Sequence, residues 1–221
     1  MKSKTSYLTL FLITMVFLSC NNNELTYSCD RVVDKWAHEN LAEIKQMTRA
    51  EFLSIEPNYQ KAAFRIFTPE QRKEIWISKL KDALLLEWSK AESEHLQEFI
   101  RIIDSFPTLY THPLDGEEKD LFDICMYKWF LYAQEVLSWD LELINAILVN
   151  PNKLINTKGD IENPLTRGQN TSLTERNCNC YYNPVFINDC VYSECFKTKC
   201  TNTWPGCGIA GAGICDGECA F

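Results

Sequence analysis

Eight of the eleven cysteines of this 221-residue chain lie between residues 178 and 221. A segment that short buries too little apolar surface to offset chain entropy alone, and exported units of this kind are held by disulfides. The tail runs Cys178-x-Cys180-x9-Cys190-x4-Cys195-x4-Cys200-x6-Cys207-x7-Cys215-x3-Cys219. Four bridges contribute on the order of 2–4 kcal/mol each, and eight cysteines leave roughly a hundred connectivities open. Cys178 and Cys180, if extended, point to one side and bond different partners. Gly206, Gly208, Gly211, Gly213 and Gly217 suit tight turns between bridges. The tail has no histidine and no Cys-x-x-Cys, so the spacing is not that of a zinc module and no metal site is expected.

The N-terminus has the build of an export signal. Lys2 and Lys4 precede the apolar run Tyr7 to Leu18, which is too short to be retained comfortably as a spanning helix. Phe17-Leu18-Ser19-Cys20 resembles the lipobox of bacterial lipoproteins. Residues 1–19 then read as a lipoprotein signal peptide, Cys20 as the lipidated first residue of the mature chain, and 20–29 as a tether containing Asn21-Asn22-Asn23. A multi-acylated cysteine anchors a protein stably on a membrane. The expected location is therefore the bacterial cell envelope, where thiols oxidise.

Residues 30–150 carry helical periodicity. Val33, Trp36, Ala37, Leu41, Ile44 and Met47 share one face of a helix. Thr68-Pro69-Glu70-Gln71 is a helix start, with a capping threonine, a proline in the first turn and Gln71 to close the capping box. Ser89 with Glu92 repeats that pattern ahead of Leu96, Phe99, Ile100 and Ile103. Phe106-Pro107 and His112-Pro113 interrupt the chain. Phe122, Cys125, Met126, Trp129, Ala133 and Val136 resume the apolar face, and Ser138 is placed to cap a last helix through Ile147. Between 151 and 177 the periodicity fades into turn dipeptides such as Lys158-Gly159-Asp160 and Asn163-Pro164, which read as a linker. The fold class expected is mainly α, a helical N-terminal domain followed by a small disulfide-rich module.

A formal charge of −8 excludes a nucleic-acid binder that works by phosphate neutralisation, and no internal apolar run reaches the length of a membrane span. No catalytic constellation stands out and no cofactor is implied. Glu92-x-x-His95 has the spacing of a di-iron helix, but the second copy that such a site needs is missing. His95 reads instead as the flank of an apolar face. Cys125, on the apolar face of its helix, lacks a partner in the sequence that would make it a nucleophile. It is either a core residue or half of a bridge to Cys29.

Cys200-x-x-Thr203-x-x-Gly206-Cys207-Gly208 followed by Cys215-x-Gly217-x-Cys219, with Cys178-Asn179-Cys180 ahead of it, resembles the fulvocin C-related bacteriocin family. The helical stretches around Met47-Thr48-Arg49, Thr68-Pro69-Glu70-Gln71 and Tyr127-Lys128-Trp129 extend the likeness over nearly all of the mature chain. The resemblance implies an exported antibacterial protein or precursor, with the effector in the tail and no catalytic residues. The other reading is a non-toxic envelope lipoprotein that presents a stapled binding module. Lys197 and Lys199 against Asp189, Glu194, Asp216 and Glu218 leave the tail net acidic. Any action would then use a receptor on competing bacteria rather than anionic lipid, with Tyr181, Tyr182, Phe196 and Trp204 as candidate contacts. Lys158, Arg167 and Arg176 are the expected cleavage points for release of the tail.

Overall fold

In the computed structural model, which describes residues 25–162, 194–197 and 203–220, the first helix starts where the Asp30 carboxylate accepts from the backbone N–H groups of Val32 and Val33. The signal peptide, Cys20, the linker beyond 162, and Cys178, Cys180, Cys190, Cys200, Tyr181, Tyr182, Arg167 and Arg176 lie outside the described residues.

Helix α1 (Arg31–Glu39) stops at Asn40, whose side-chain amide and backbone N–H both donate to the Trp36 carbonyl. The single helix expected through Met47 is therefore broken into α1 and the short α2 (Leu41–Ile44), although Val33, Ala37 and Ile44 are buried as the periodicity requires. Thr48 and Glu51 form a capping box at α3 (Arg49–Ser54), and Pro57 opens α4 (Pro57–Ile66). Helix α5 (Pro69–Ala83) begins with the Thr68–Gln71 capping box, and α6 (Lys90–Ser105) with the Ser89–Glu92 box. Both start signals act as the sequence predicts, because each satisfies N–H groups that the first helical turn leaves free.

Helix α7 (Gly116–Leu131) runs into a π-helical turn, Tyr132–Val136. That wider turn carries Val136 off the apolar face to 59% exposure, against its expected place beside Ala133. The last helix, α8 (Leu141–Leu148), is capped by Asp140, whose carboxylate accepts from Leu143 N–H at 2.8 Å. Ser138, the expected cap, instead turns the corner with φ +55°. Phe52, Trp76, Leu80, Phe99, Ile103, Met126, Ile144 and Ile147 fill one continuous core among these helices.

The expected linker boundary at Pro151 falls within packed structure. Leu154 is fully buried in the helical core and pairs with Ile161 in a β-bridge. Gly159, at φ +93°, lies so close to the α8 backbone that a Cβ would stand 2.9 Å from Leu143 Cα. Turn residues mark a change of direction, and here the chain turns back onto the domain instead of leaving it. Lys158, exposed, belongs to a folded turn in which its backbone N–H donates to Asn156 Oδ1 at 2.9 Å.

Two small antiparallel pairs make up the described part of the tail. Strand β1 (Glu194–Lys197) pairs with β4 (Gly217–Ala220), with Cys195 opposite Cys219 in register. Strand β2 (Thr203–Cys207) pairs with β3 (Gly213–Cys215), and the Cys207–Cys215 disulfide closes the pair around a 3₁₀ turn at Ile209–Gly211. The fold is mainly helical with a stapled strand module, as the composition of the two halves leads one to expect.

Candidate functional site

The strand module is inserted into the helices. Ile209 and Ala210 are buried members of the main hydrophobic core. Gly211, at φ +63°, sits where a Cβ would lie 3.0 Å from the Phe64 ring and 3.2 Å from Trp76 Nε1, so the backbone approach there needs glycine.

Two buried arginines on α4 and α5 fix the contact. Arg65 donates to the Tyr27 carbonyl and to Cys215 Sγ, linking the N-terminal segment, α4 and the tail disulfide. Arg72 donates to the carbonyls of Phe64 (2.9 Å), Tyr110 (2.8 Å) and Arg65 (2.7 Å). Its guanidinium also faces the Trp204 ring at 5.4 Å. Burial lowers the Arg72 pKa to about 10, which keeps the cation charged at neutral pH.

This arrangement sorts the residues proposed from sequence. Trp204 is half-buried, stacked near Arg72, with its indole N–H donated to Ala212 O at 2.7 Å. It therefore packs the module against the helices and is not a free target contact. Phe196 stays 51% exposed on β1.

Of the two readings of Cys125, the bridge to Cys29 is not formed: Cys125 is a free thiol, whereas Cys29 is disulfide-bonded. The physical reason is placement. The Tyr27–Ser28 segment that leads into Cys29 is held by the α1 residue Asp34 and by Arg65. Cys125 instead opens into a cleft between α6 and α7.

That cleft has a volume of about 380 Å³. Its wall is aromatic. The His95 ring stacks on Trp129 at 4.3 Å with 15° between planes, and Tyr132 and Trp139 approach the same ring at 4.9 and 5.5 Å. The Trp129 indole donates to His95 O at 3.0 Å and so ties α7 to α6. Glu92 accepts from the Trp139 indole at 3.0 Å, and this bond, with the one from Ser89, lowers its pKa. Glu92 and His95 are thus occupied by capping and stacking. Among the described residues no group of three His, Cys, Asp or Glu side chains could hold a metal ion.

His95 is 7% exposed, and its Nε2 has no hydrogen-bond partner among the described residues. Burial lowers its pKa from 6.5 to about 4, against smaller upward pulls from the Trp129 backbone and the Glu98 charge. Glu94 and Glu98 on α6 and Lys128 on α7 are the charged groups around it. Below pH 6.5 the unfolded chain takes up a proton that the folded chain refuses until about pH 4. The resulting stability is fully present above pH 6.5 and is lost as pH falls, in total about 3 kcal/mol. Denaturant unfolding from pH 7 to pH 4 is expected to show that loss in the native protein, and about 3 kcal/mol less of it in His95→Phe. Equal losses in the two proteins would remove His95 as the cause.

Sequence reasoning placed His95 and Cys125 separately and did not bring them to one cleft. A usable signal was present in α7, which is apolar on more than one face. It buries Phe122, Met126, Trp129 and Phe130 yet exposes Leu121, Ile124 and Tyr127.

Fold and site together define a class: a helical protein with a disulfide-stapled strand module docked in its core and an aromatic cleft between two helices. No protein-family model, curated protein or solved structure matches the chain.

Proposed function

We propose that this chain is an exported, lipid-anchored envelope protein whose stapled tail is a fixed binding module of the folded unit, not a toxin set free by cleavage. The observation that supports this reading best is the burial of Ile209 and Ala210 in the helical core. Pulling the tail away would uncover Phe64 and Trp76, which are 3% and 1% exposed, and would break the Arg65 and Arg72 contacts. A tail built for release would present a polar seam to the domain it leaves, because uncovering apolar surface costs free energy in proportion to area. The export signal and Ser19-Cys20 supply the route and the anchor, and the exposed Phe196 on β1 offers a contact for a partner.

The second reading is a fulvocin C-like bacteriocin precursor, in which the helices hold the tail until it acts. The Cys200 to Cys219 spacing favours it. One assay separates the two. Purified, oxidised tail (178–221) and the full mature chain are applied to lawns of related bacteria. No inhibition by either is expected; a clear zone around the tail would overturn the binding-module reading in favour of the bacteriocin.

A further inference from the structure

Helix α7 is apolar on the face it turns outward as well as on the face it buries. Leu121, Ile124 and Tyr127 are 51%, 49% and 42% exposed at helical spacing, while Phe122, Met126, Trp129 and Phe130 pack inward. A helix that is hydrophobic all round is normally buried all round. The charges along the outward stripe say what covers it. Asp120 and Lys128 lie four residues before and four residues after Ile124, and both are exposed. Lys119 and Asp123 on the same helix pair with each other, whereas neither Asp120 nor Lys128 makes an ion pair among the described residues. At 1.5 Å per residue the two stand about 12 Å apart along the axis, too far to neutralise one another.

We infer that the outer face of α7 docks antiparallel against the same face of a second copy of this chain, with Ile124 on the two-fold axis. In that register a residue before Ile124 faces the residue equally far beyond it in the other copy. Asp120 faces the partner's Lys128, and Lys128 faces the partner's Asp120, so the symmetry makes two ion pairs at once. Leu121 faces the partner's Tyr127. Tyr132 faces the partner's Gly116, a position whose missing Cβ would have nothing within 4 Å and so leaves room for a ring. One register thus places charge against opposite charge and apolar group against apolar group, as a self-complementary patch requires. Parallel pairing in register would set each charge against its own copy. A lipid surface suits the stripe less, because Glu117, Asp120 and Glu135 are exposed along the same helix. Helix α7 is about 24 Å long, so the interface is at the small end for specific contacts. The dimer is therefore weak, with a dissociation constant on the order of 10 µM.

The test is sedimentation velocity on the full mature chain, oxidised and carrying Cys20→Ser, which removes any acyl group that would drive association by itself. Low ionic strength is used, since salt screens exposed charges. The chain is expected to dimerise reversibly, and Ile124→Glu to remain a monomer up to about 200 µM. Asp120→Lys and Lys128→Glu are each expected to weaken the dimer about tenfold or more, because each sets like charges across the axis twice. Mixing these two variants brings opposite charges together at both places, and the mixture is expected to associate within about threefold of the native affinity. All three positions are exposed, so the melting temperatures stay near that of the native chain. A native chain that is monomeric at about 200 µM, an Ile124→Glu chain that dimerises like the native one, or a mixture no tighter than either variant alone would each overturn the inference. Binding of a monomeric native chain to neutral phospholipid vesicles, lost in Ile124→Glu, would overturn it in favour of a lipid surface.

Discussion

A chain ended at residue 162 is expected to melt at least about 10 °C below the full protein, or to lose its cooperative transition altogether. Burial of Ile209 and Ala210, the Arg72–Trp204 contact and the cover over Phe64 and Trp76 together amount to about 5 kcal/mol. Domains are stable by only about 5–15 kcal/mol, and in a chain of this size each kcal/mol moves the melting temperature by about 2–4 °C. Truncation also removes the tail cysteines, so a point variant that keeps all of them is the control. Gly211→Val places a branched side chain against the Phe64 ring and Trp76 Nε1 at a positive φ. It is expected to destabilise by about 2–4 kcal/mol, through overpacking and backbone strain together. Thermal unfolding followed by circular dichroism decides the matter. If the truncated chain melts with the full protein, the helices form an independent domain after all, and limited proteolysis will separate the two parts intact.

Lys79→Met is expected to cost about 3–5 kcal/mol. Lys79 is fully buried and has no carboxylate partner among the described residues. Its ammonium donates to the carbonyls of Ala146, Ile147 and Asn150 at the C-terminal end of α8, and it lies 4.7 Å from the Trp76 ring centroid. The last carbonyls of a helix have no partner within it, and the negative end of the helix dipole favours a cation there. Burial, and to a lesser degree the Arg49 charge, pushes the Lys79 pKa well below its usual value. The three carbonyl oxygens answer the three N–H bonds of the ammonium form. Methionine fills nearly the same space, so its cost isolates the carbonyls left without a donor, about 1–3 kcal/mol apiece when buried. Lys79→Ala adds a cavity and is expected to be worse by a further 1–2 kcal/mol or so. A Lys79→Met protein within 1 kcal/mol of the native one, by denaturant unfolding, would show that these carbonyls do not depend on the lysine.

The two capping boxes at Thr68–Gln71 and Ser89–Glu92 were legible in the sequence because each is complete within four residues. The same locality made the buried faces of α1, α5, α6 and α7 readable, since their spacing follows the helical repeat. It also made the stapled nature of the tail readable, because cysteine density alone demands it. Local reading failed where a local signal had two outcomes. Ser138 and Asp140 both suit a cap, and the choice between them was made by the π-helical turn that precedes them. Gly159 marks a turn whether the chain departs or folds back, and the close approach to α8 decides which.

By itself the sequence determined the helical class, the helix starts at Thr68 and Ser89, and the need for disulfides. Each follows from neighbours within one or two turns or from composition. Tertiary structure alone decided that Arg65 meets Cys215 across 150 residues, that Ile209 and Ala210 complete the helical core, and that Lys79 closes the end of α8. It also decided that Cys125 stays a free thiol beside His95. These pairings share one physical cause. Each joins a buried polar or apolar group to a partner far along the chain, and the cost of leaving that group unpaired is felt only once the chain has closed around it.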